Sequence, residues 1–327
     1  MIRWWTLILV GMMACNGDDT PIETSDADTD TDSDSDIDTD PDAKPVWADR
    51  KVQTSSTLYG VYTGGTGAFV AGTDGVMWQL TSGAESPVAT GVLEDLQGLF
   101  GVGDELSTTL VAVGTSGTVL WYSAADGKFD VEDVGTPAFN DVDGKLSDLT
   151  AVGWGGAYRY NGASWQFETL PKSYRLNGVY VGEGVTYAVG DDGVIARRVS
   201  NIWEEDPITG LYTQNFNGVF GISDNDVWVV GQEGAVLHWD GTTWGQVTTN
   251  TAVTLWGVWA DVTSKKVFIV GNSGVAMVGD KDALLSGGAF TVLPTGSDAN
   301  LYGVSGTSDE NVWAVGNRGQ ILRYTGG

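Results

Sequence analysis

The chain has 327 residues, with 43 acidic and 16 basic side chains, a net charge of −27, one cysteine and one histidine. A surface this acidic repels phosphate backbones and argues against nucleic-acid binding. With Cys15 and His238 alone of their kinds, the chain has no internal disulfide and no Cys/His metal site. No metal and no cofactor is expected.

Met1, Ile2 and Arg3 make a short positive start, and Trp4 to Met13 is an apolar run of 10 residues. That run is too short to cross a bilayer and suits a signal-peptide core. It ends in Met12-Met13-Ala14-Cys15-Asn16, which resembles a bacterial lipobox, with Met12 where Leu is usual. The resemblance implies that residues 1–14 are a cleaved signal and that Cys15 carries lipid. Each buried methylene of an acyl chain adds about 0.8 kcal/mol of membrane affinity. An ordinary secretory signal with a chance cysteine is the alternative.

From Asp18 to Asp42 the sequence is of low complexity, with Asp at every second position from Asp26 through Asp42. Such a stretch buries too little apolar surface to offset its ordering entropy, and its charges repel. Residues 15–44 are therefore expected to be a disordered acidic tether. Calcium loops resemble its Asp-x-Asp pattern, but the turn-forming Gly and distal bidentate carboxylate are missing. Surface lipoproteins of Gram-negative bacteria carry similar leashes behind the lipid cysteine. The likeness implies a protein held by lipid in the cell envelope, at the outer membrane, on a side left open.

Beyond the leash a repeat takes over. Gly-x-x-Gly occurs as Gly72/Gly75, Gly114/Gly117, Gly153/Gly156, Gly190/Gly193, Gly231/Gly234, Gly271/Gly274 and Gly316/Gly319, at intervals of 42, 39, 37, 41, 40 and 45 residues. Around each pair lie short β-branched or alternating runs divided by Gly, Asp and Asn turns, hence four strands, A to D, per copy. The pair sits between strands B and C, where Gly permits the positive φ of a tight hairpin. No helical period is expected here. Strand A recurs as Leu58-Tyr59-Gly60-Val61, Leu96-Gln97-Gly98-Leu99, Phe139-Asn140-Asp141-Val142, Leu176-Asn177-Gly178-Val179, Phe216-Asn217-Gly218-Val219, Leu255-Trp256-Gly257-Val258 and Leu301-Tyr302-Gly303-Val304. A fixed Gly within a strand marks close backbone approach, as in an innermost strand around an axis. Four-stranded units of this length are propeller blades, so residues 45–327 are expected to form an all-β, seven-bladed propeller.

Strand D opens with an aromatic residue in five copies: Phe129, Trp165, Trp203, Trp244 and Phe290. The last copy stops after strand C, while Trp47 precedes Leu58 at the spacing that separates Trp244 from Leu255. The segment from Val46 to Thr54 is therefore expected to supply the missing strand and close the ring, removing two unpaired edges.

The pattern Leu-x-Gly-Val, then Val-Trp-Ala-Val-Gly-x-x-Gly-x-Ile-Leu-Arg-Tyr, resembles repeats of bacterial secreted β-propellers. These are similar in turn to sialidase-type (BNR, Asp-box) and photosystem II assembly-factor-like propellers. The Asp-box is imperfect: Asp240-Gly241-Thr242-Thr243-Trp244 is one residue short between acid and Trp. A sialidase site needs three converging arginines. Arg159, Arg197 and Arg323 share one position on different blades and should not meet, and His238, at that same position, reads as a partly exposed strand residue. The expected function is accordingly non-enzymatic: a binding or interaction scaffold with a protein or glycan partner, held as a monomer. A glycan-active or glycan-binding propeller, such as a carboxylate-based glycosidase, is the alternative.

Two candidate sites follow. The B–C turns share a face with the D–A connections, and Trp154, Asp191, Asp192, Glu233 and Arg318 are its candidate binding residues. Trp154 stands out because no other copy needs a large aromatic in that turn. Tyr62, Phe100, Tyr180, Phe220 and Trp259, each next after the strand-A aliphatic, either line a channel mouth or pack as core between blades.

Overall fold

Each copy of the repeat folds as its own antiparallel sheet, and the seven sheets form a seven-bladed β-propeller. The computed structural model describes residues 47–50, 52–104, 108–123, 127–135 and 137–326. The expected signal, Cys15 and the acidic tether lie outside the described residues. The innermost strands A are Leu58–Gly64, Leu96–Val102, Ala138–Lys145, Leu176–Val181, Phe216–Ser223, Leu255–Ala260 and Leu301–Ser308.

Blade 7 takes its fourth strand from the other end of the chain. Trp47–Asp49 pairs antiparallel with Ile321–Tyr324, placing Trp47 opposite Tyr324 and Asp49 opposite Leu322. The strand is shorter than the expected segment. Arg50 N still donates to Ile321 O at 2.9 Å, while its side chain reaches Glu85 of blade 1, 2.6 Å away. The seam between blades 7 and 1 is filled by Leu58, Val70 and Leu80 from one side and Trp313, Val315 and Ile321 from the other. Closure is thus a packed interface as well as a strand pair.

The two glycines of each B–C step act differently. Gly72 is extended, and a Cβ there would lie 2.0 Å from the Thr57 carbonyl oxygen. Gly75 has φ +65, and its Cβ would lie 2.2 Å from Val92 O. Only the second glycine supplies the left-handed conformation expected of the pair; the first makes room for the incoming D–A connection. In blade 3 the six-fold recurring one-turn 3-10 segment is replaced by a bare hairpin, Gly153 pairing with Gly156 across Trp154-Gly155.

Inner-strand glycines hold the blades close. A Cβ on Gly98 would meet Asp141 Cα at 2.7 Å, and one on Gly303 would meet Tyr59 O at 2.4 Å. The expectation of no helix fails at one place, Lys281–Leu285 between strands C and D of blade 6. Asp280 caps its start by accepting from Ala283 N at 2.9 Å, and Leu284 is buried in the core. Five residues with one cap and one anchor form a turn of helix too short to leave a periodic signal.

Candidate functional site

Seven inner strands enclose an axial cavity of about 450 Å³. Its two ends differ. Strand A runs from the B–C face, where Leu58 pairs with Gly72, to the A–B hairpin, where Gly64 pairs with Gly67. The five aromatics Tyr62, Phe100, Tyr180, Phe220 and Trp259 therefore lie toward the A–B end, away from the B–C face. They line the cavity and are also core. Tyr62, Tyr180 and Trp259 each cover a glycine of the next blade, and Cβ atoms on Gly101, Gly221 and Gly306 would fall 2.7, 2.1 and 2.8 Å from those rings. Phe220 links Tyr180 and Trp259, with centroids 6.4 Å from each.

The B–C end of the channel is built by residues the sequence reading passed over. The second position of each strand-A quartet faces the cavity: Tyr59, Gln97, Asn140, Asn177, Asn217, Trp256 and Tyr302. The aromatics form one arc. Tyr302 lies 5.4 Å from Tyr59 and 5.4 Å from Trp256. The amides form the other. Asn140, Asn177 and Asn217 donate their NH₂ groups to Leu176 O, Phe216 O and Leu255 O of the following blade at 2.7, 3.0 and 2.8 Å. Their side-chain oxygens accept no hydrogen bond among the described residues and remain available at the mouth. The signal was present in the sequence: the quartet is otherwise uniform, and only this position alternates between amide and aromatic.

On the surrounding face, two of the expected residues come together. Trp154 is 67% exposed, and the Arg175 guanidinium lies 5.2 Å from its ring centroid. Arg175 Nε is also 3.8 Å from Asp191, and Asp191 accepts from Asn177 Nδ2 at 2.9 Å. A continuous chain, Trp154-Arg175-Asp191-Asn177, so connects the exposed ring to the channel mouth. Asp192 shares the turn, its amide bonded to Asn215 Oδ1 at 3.0 Å. Glu233 and Arg318 belong elsewhere on the ring, paired with Gln214 at 2.9 Å and with Asp298 at 2.5 Å.

Blade 3 departs from the pattern inside the channel. Asp141 occupies the glycine position and Asp143 the aromatic position. Val179 N and Val142 N donate to Asp141, both at 2.9 Å, and Val181 N donates to Asp143 at 2.6 Å. Burial pushes the Asp141 carboxyl up to about 7, with the Asp143 charge adding to it, against the lowering effect of the backbone hydrogen bonds. Burial likewise pushes Asp143 up to about 6. Tyr180 is pushed up to about 12, by burial first and then by nearby carboxylates including Asp224 and Asp143.

The arginines and the histidine do not converge. Arg159 is held bidentately by Asp148 at 2.6 and 2.7 Å, Arg197 by Glu204 at 2.9 Å, and Arg323 reaches Asn311 at 3.1 Å. His238 corrects the expectation of partial exposure: it is 5% exposed. Its ring stacks 4.5 Å from Trp228, and its Nε2 lies 2.8 Å from Asp226, whose other oxygen bonds Lys281. The Trp228 partner across the strand and the Asp226 carboxylate draw it inward.

No protein-family model matches the chain, and no curated protein matches it. Solved structures do resemble it. YCF48 bound to D1 peptide superposes with a TM-score of 0.68 at 13% identity, covering 88% of this chain and 97% of that one. YCF48 from Cyanidioschyzon merolae gives 0.66 at 15% identity, covering 85% and 98%. The WD40 β-propeller domain of Doa1 gives 0.70 at 10% identity, covering 88% and 98%. At these identities the likeness concerns the fold alone.

Proposed function

We propose that this chain is a non-enzymatic binding module, held in the bacterial cell envelope by lipid on Cys15, that grips a protein partner at the B–C mouth of its channel. The carrying observation is the concave mouth itself, with Tyr59, Tyr302 and Trp256 on one side and four amide side chains on the other. Aromatic faces give contact area at small entropic loss, and free amide oxygens accept backbone N–H groups. The exposed Trp154 extends the surface outward. Among the structural relatives, one YCF48 is seen with a peptide bound, which supports a peptide-like occupant.

A catalytic reading has less behind it. A glycosidase needs two carboxyl groups flanking the scissile bond, whereas Asp141 and Asp143 alternate along one strand and share one wall. Glycan stacking on the aromatic arc is the second reading.

The test is crosslinking in native membranes with the full chain, comparing wild type with Trp256→Ala, Tyr302→Ala and Trp154→Ala. Partners held at the mouth should be lost from the first two variants and weakened in the third. Capture that is the same in all four proteins would overturn the reading, and release by soluble glycan would transfer the site to the second reading. Cys15→Ala should move the protein from the membrane to the soluble fraction; unchanged partitioning would sink the anchor.

A further inference from the structure

The channel holds two carboxylates and no cation. Its lining includes no Lys, Arg or His among the described residues; the other titratable groups facing it are Tyr59, Tyr62, Tyr180 and Tyr302. Asp141 and Asp143 are half-buried, and a carboxylate withdrawn from water is stable when paired and unfavourable when not. Backbone amides of Val179 and Val142 bond Asp141, and those of Val181 and Gly144 bond Asp143, while two carboxylates offer about eight acceptor sites. Burial keeps both carboxyls well above their ordinary range, the mark of charge that lacks a counter-ion. The remaining walls are rich in aromatic rings, whose faces attract cations.

Length fits as well. Asp141 and Asp143 lie one and three residues beyond the mouth residue Asn140. At about 3.3 Å per residue that is roughly 3 and 10 Å along the strand, so a basic side chain entering at the mouth meets Asp141 first and Asp143 beyond it. The cavity, about 450 Å³, falls in the range of roughly 300–1,000 Å³ used for ligands.

Taking the B–C mouth as the partner site, we propose that the channel receives the side chain of a lysine or arginine carried by that partner. The stem passes Tyr59, Trp256 and Tyr302, the charge settles against Asp141 and Asp143, and the free oxygens of Asn140, Asn177 and Asn217 accept the partner's flanking backbone amides. A net charge of −27 on the chain favours approach of a basic partner.

The experiment is an NMR titration of the full chain, following the indole signals of Trp256 and Trp259. The probes are the capped pentapeptide Gly-Gly-Lys-Gly-Gly, its norleucine counterpart and n-butylammonium. At pH 8 the lysine peptide should bind about tenfold or more tighter than the norleucine peptide, as expected of a charge-assisted contact. The preference should vanish in the Asp141→Asn/Asp143→Asn double variant and fade as the pH drops from 8 to 5. Asn keeps an acceptor oxygen for the Val179 and Val181 amides, and an unchanged circular dichroism spectrum checks that the ring is intact. Equal binding of the two peptides, a preference that survives in the double variant, or a flat pH profile would overturn the proposal. Tighter binding of n-butylammonium than of the lysine peptide would overturn the assignment to a partner's side chain. If both peptides bind alike and both are lost in Trp256→Ala, this proposal fails while the mouth stands as a binding site. If neither peptide binds and the membrane crosslinks ignore Trp256, both fail.

Discussion

Trp47→Ala in the otherwise complete chain tests ring closure most directly. Trp47 is 6% exposed, and its ring centroid lies 5.5 Å from that of Tyr324. It shares a core cluster with Trp259, Phe268, Leu301 and Leu322 of blades 6 and 7. Truncating a buried Trp to Ala typically costs about 3–5 kcal/mol. At about 2–4 °C per kcal/mol for a domain near this size, the melting temperature should drop by about 6–20 °C. The three-residue strand has only three paired positions, so loss of its anchor should also free the edge of Ile321–Tyr324. A free edge pairs with other chains. Scanning calorimetry and analytical ultracentrifugation measure the two effects. A chain beginning at Thr57 should show both more strongly, because it also loses the Arg50–Glu85 ion pair and the Arg50 guanidinium 5.8 Å from the Trp313 ring. A melting temperature within about 2 °C of wild type, together with a monodisperse monomer, would refute closure as a source of stability.

Three further outcomes are expected. Gly303→Ala should lower the urea midpoint by the equivalent of about 1–3 kcal/mol or more, since its Cβ would lie 2.4 Å from Tyr59 O; Gly83→Ala, with nothing within 4 Å, is the control. For Asp141 and Asp143 the folded-state carboxyls sit at about 7 and about 6 against an ordinary 3.8. Their contribution is therefore most favourable below pH 4 and is lost as the pH rises toward 7, because the unfolded chain releases those protons first. The Asp141→Asn/Asp143→Asn variant should gain on wild type in urea melts as pH rises from 4 to 8, and parallel pH profiles would contradict this. His238→Ala should cost about 1–3 kcal/mol, because it strips a partner from the buried side of Asp226, and should leave crosslinking unchanged; any loss of partner would give His238 a role at the site.

The repeat was legible because its glycines answer to backbone geometry alone. Every copy needs one at Gly72-like and Gly75-like positions, whatever fills the blade. The closing strand was legible for a related reason, since the spacing from Trp47 to Leu58 repeats that from Trp244 to Leu255. What escaped notice was decided by neighbours in space. His238 and Arg323 hold the same repeat position, each opposite a Trp of strand B, yet the short imidazole is enclosed while the longer guanidinium is partly exposed. The helix Lys281–Leu285 arose from a local cap and a single anchoring leucine. The mouth residues occupy the variable second position of each quartet, where amide and aromatic alternate, and a variable position carries no repeat signal of its own. Trp154 is an exposed ring in the B–C turn of blade 3, and its link through Arg175 and Asp191 to Asn177 depends on side chains from separate strands and turns that no spacing in the sequence brings together.

The amide arc has a mechanical side. Asn140, Asn177 and Asn217 each reach forward to the next blade's backbone, so blades 3, 4, 5 and 6 are stitched by hydrogen bonds that all point the same way round. From blade 6 through blade 7 to blade 1 the corresponding contacts are the ring pairs Trp256–Tyr302 and Tyr302–Tyr59. A hydrogen bond is directional and weakens steeply when bent or stretched, whereas tilted ring contacts such as these tolerate a range of geometries. At the mouth, the three seams from blade 3 to blade 6 are thus held by directional hydrogen bonds and the two from blade 6 to blade 1 by ring contacts. At the A–B end the seam between blades 7 and 1 is hydrogen-bonded as well, Asn311 Nδ2 donating to Gly65 O at 3.0 Å. Widening of the mouth should therefore fall on its aromatic side, while the amide side keeps its shape.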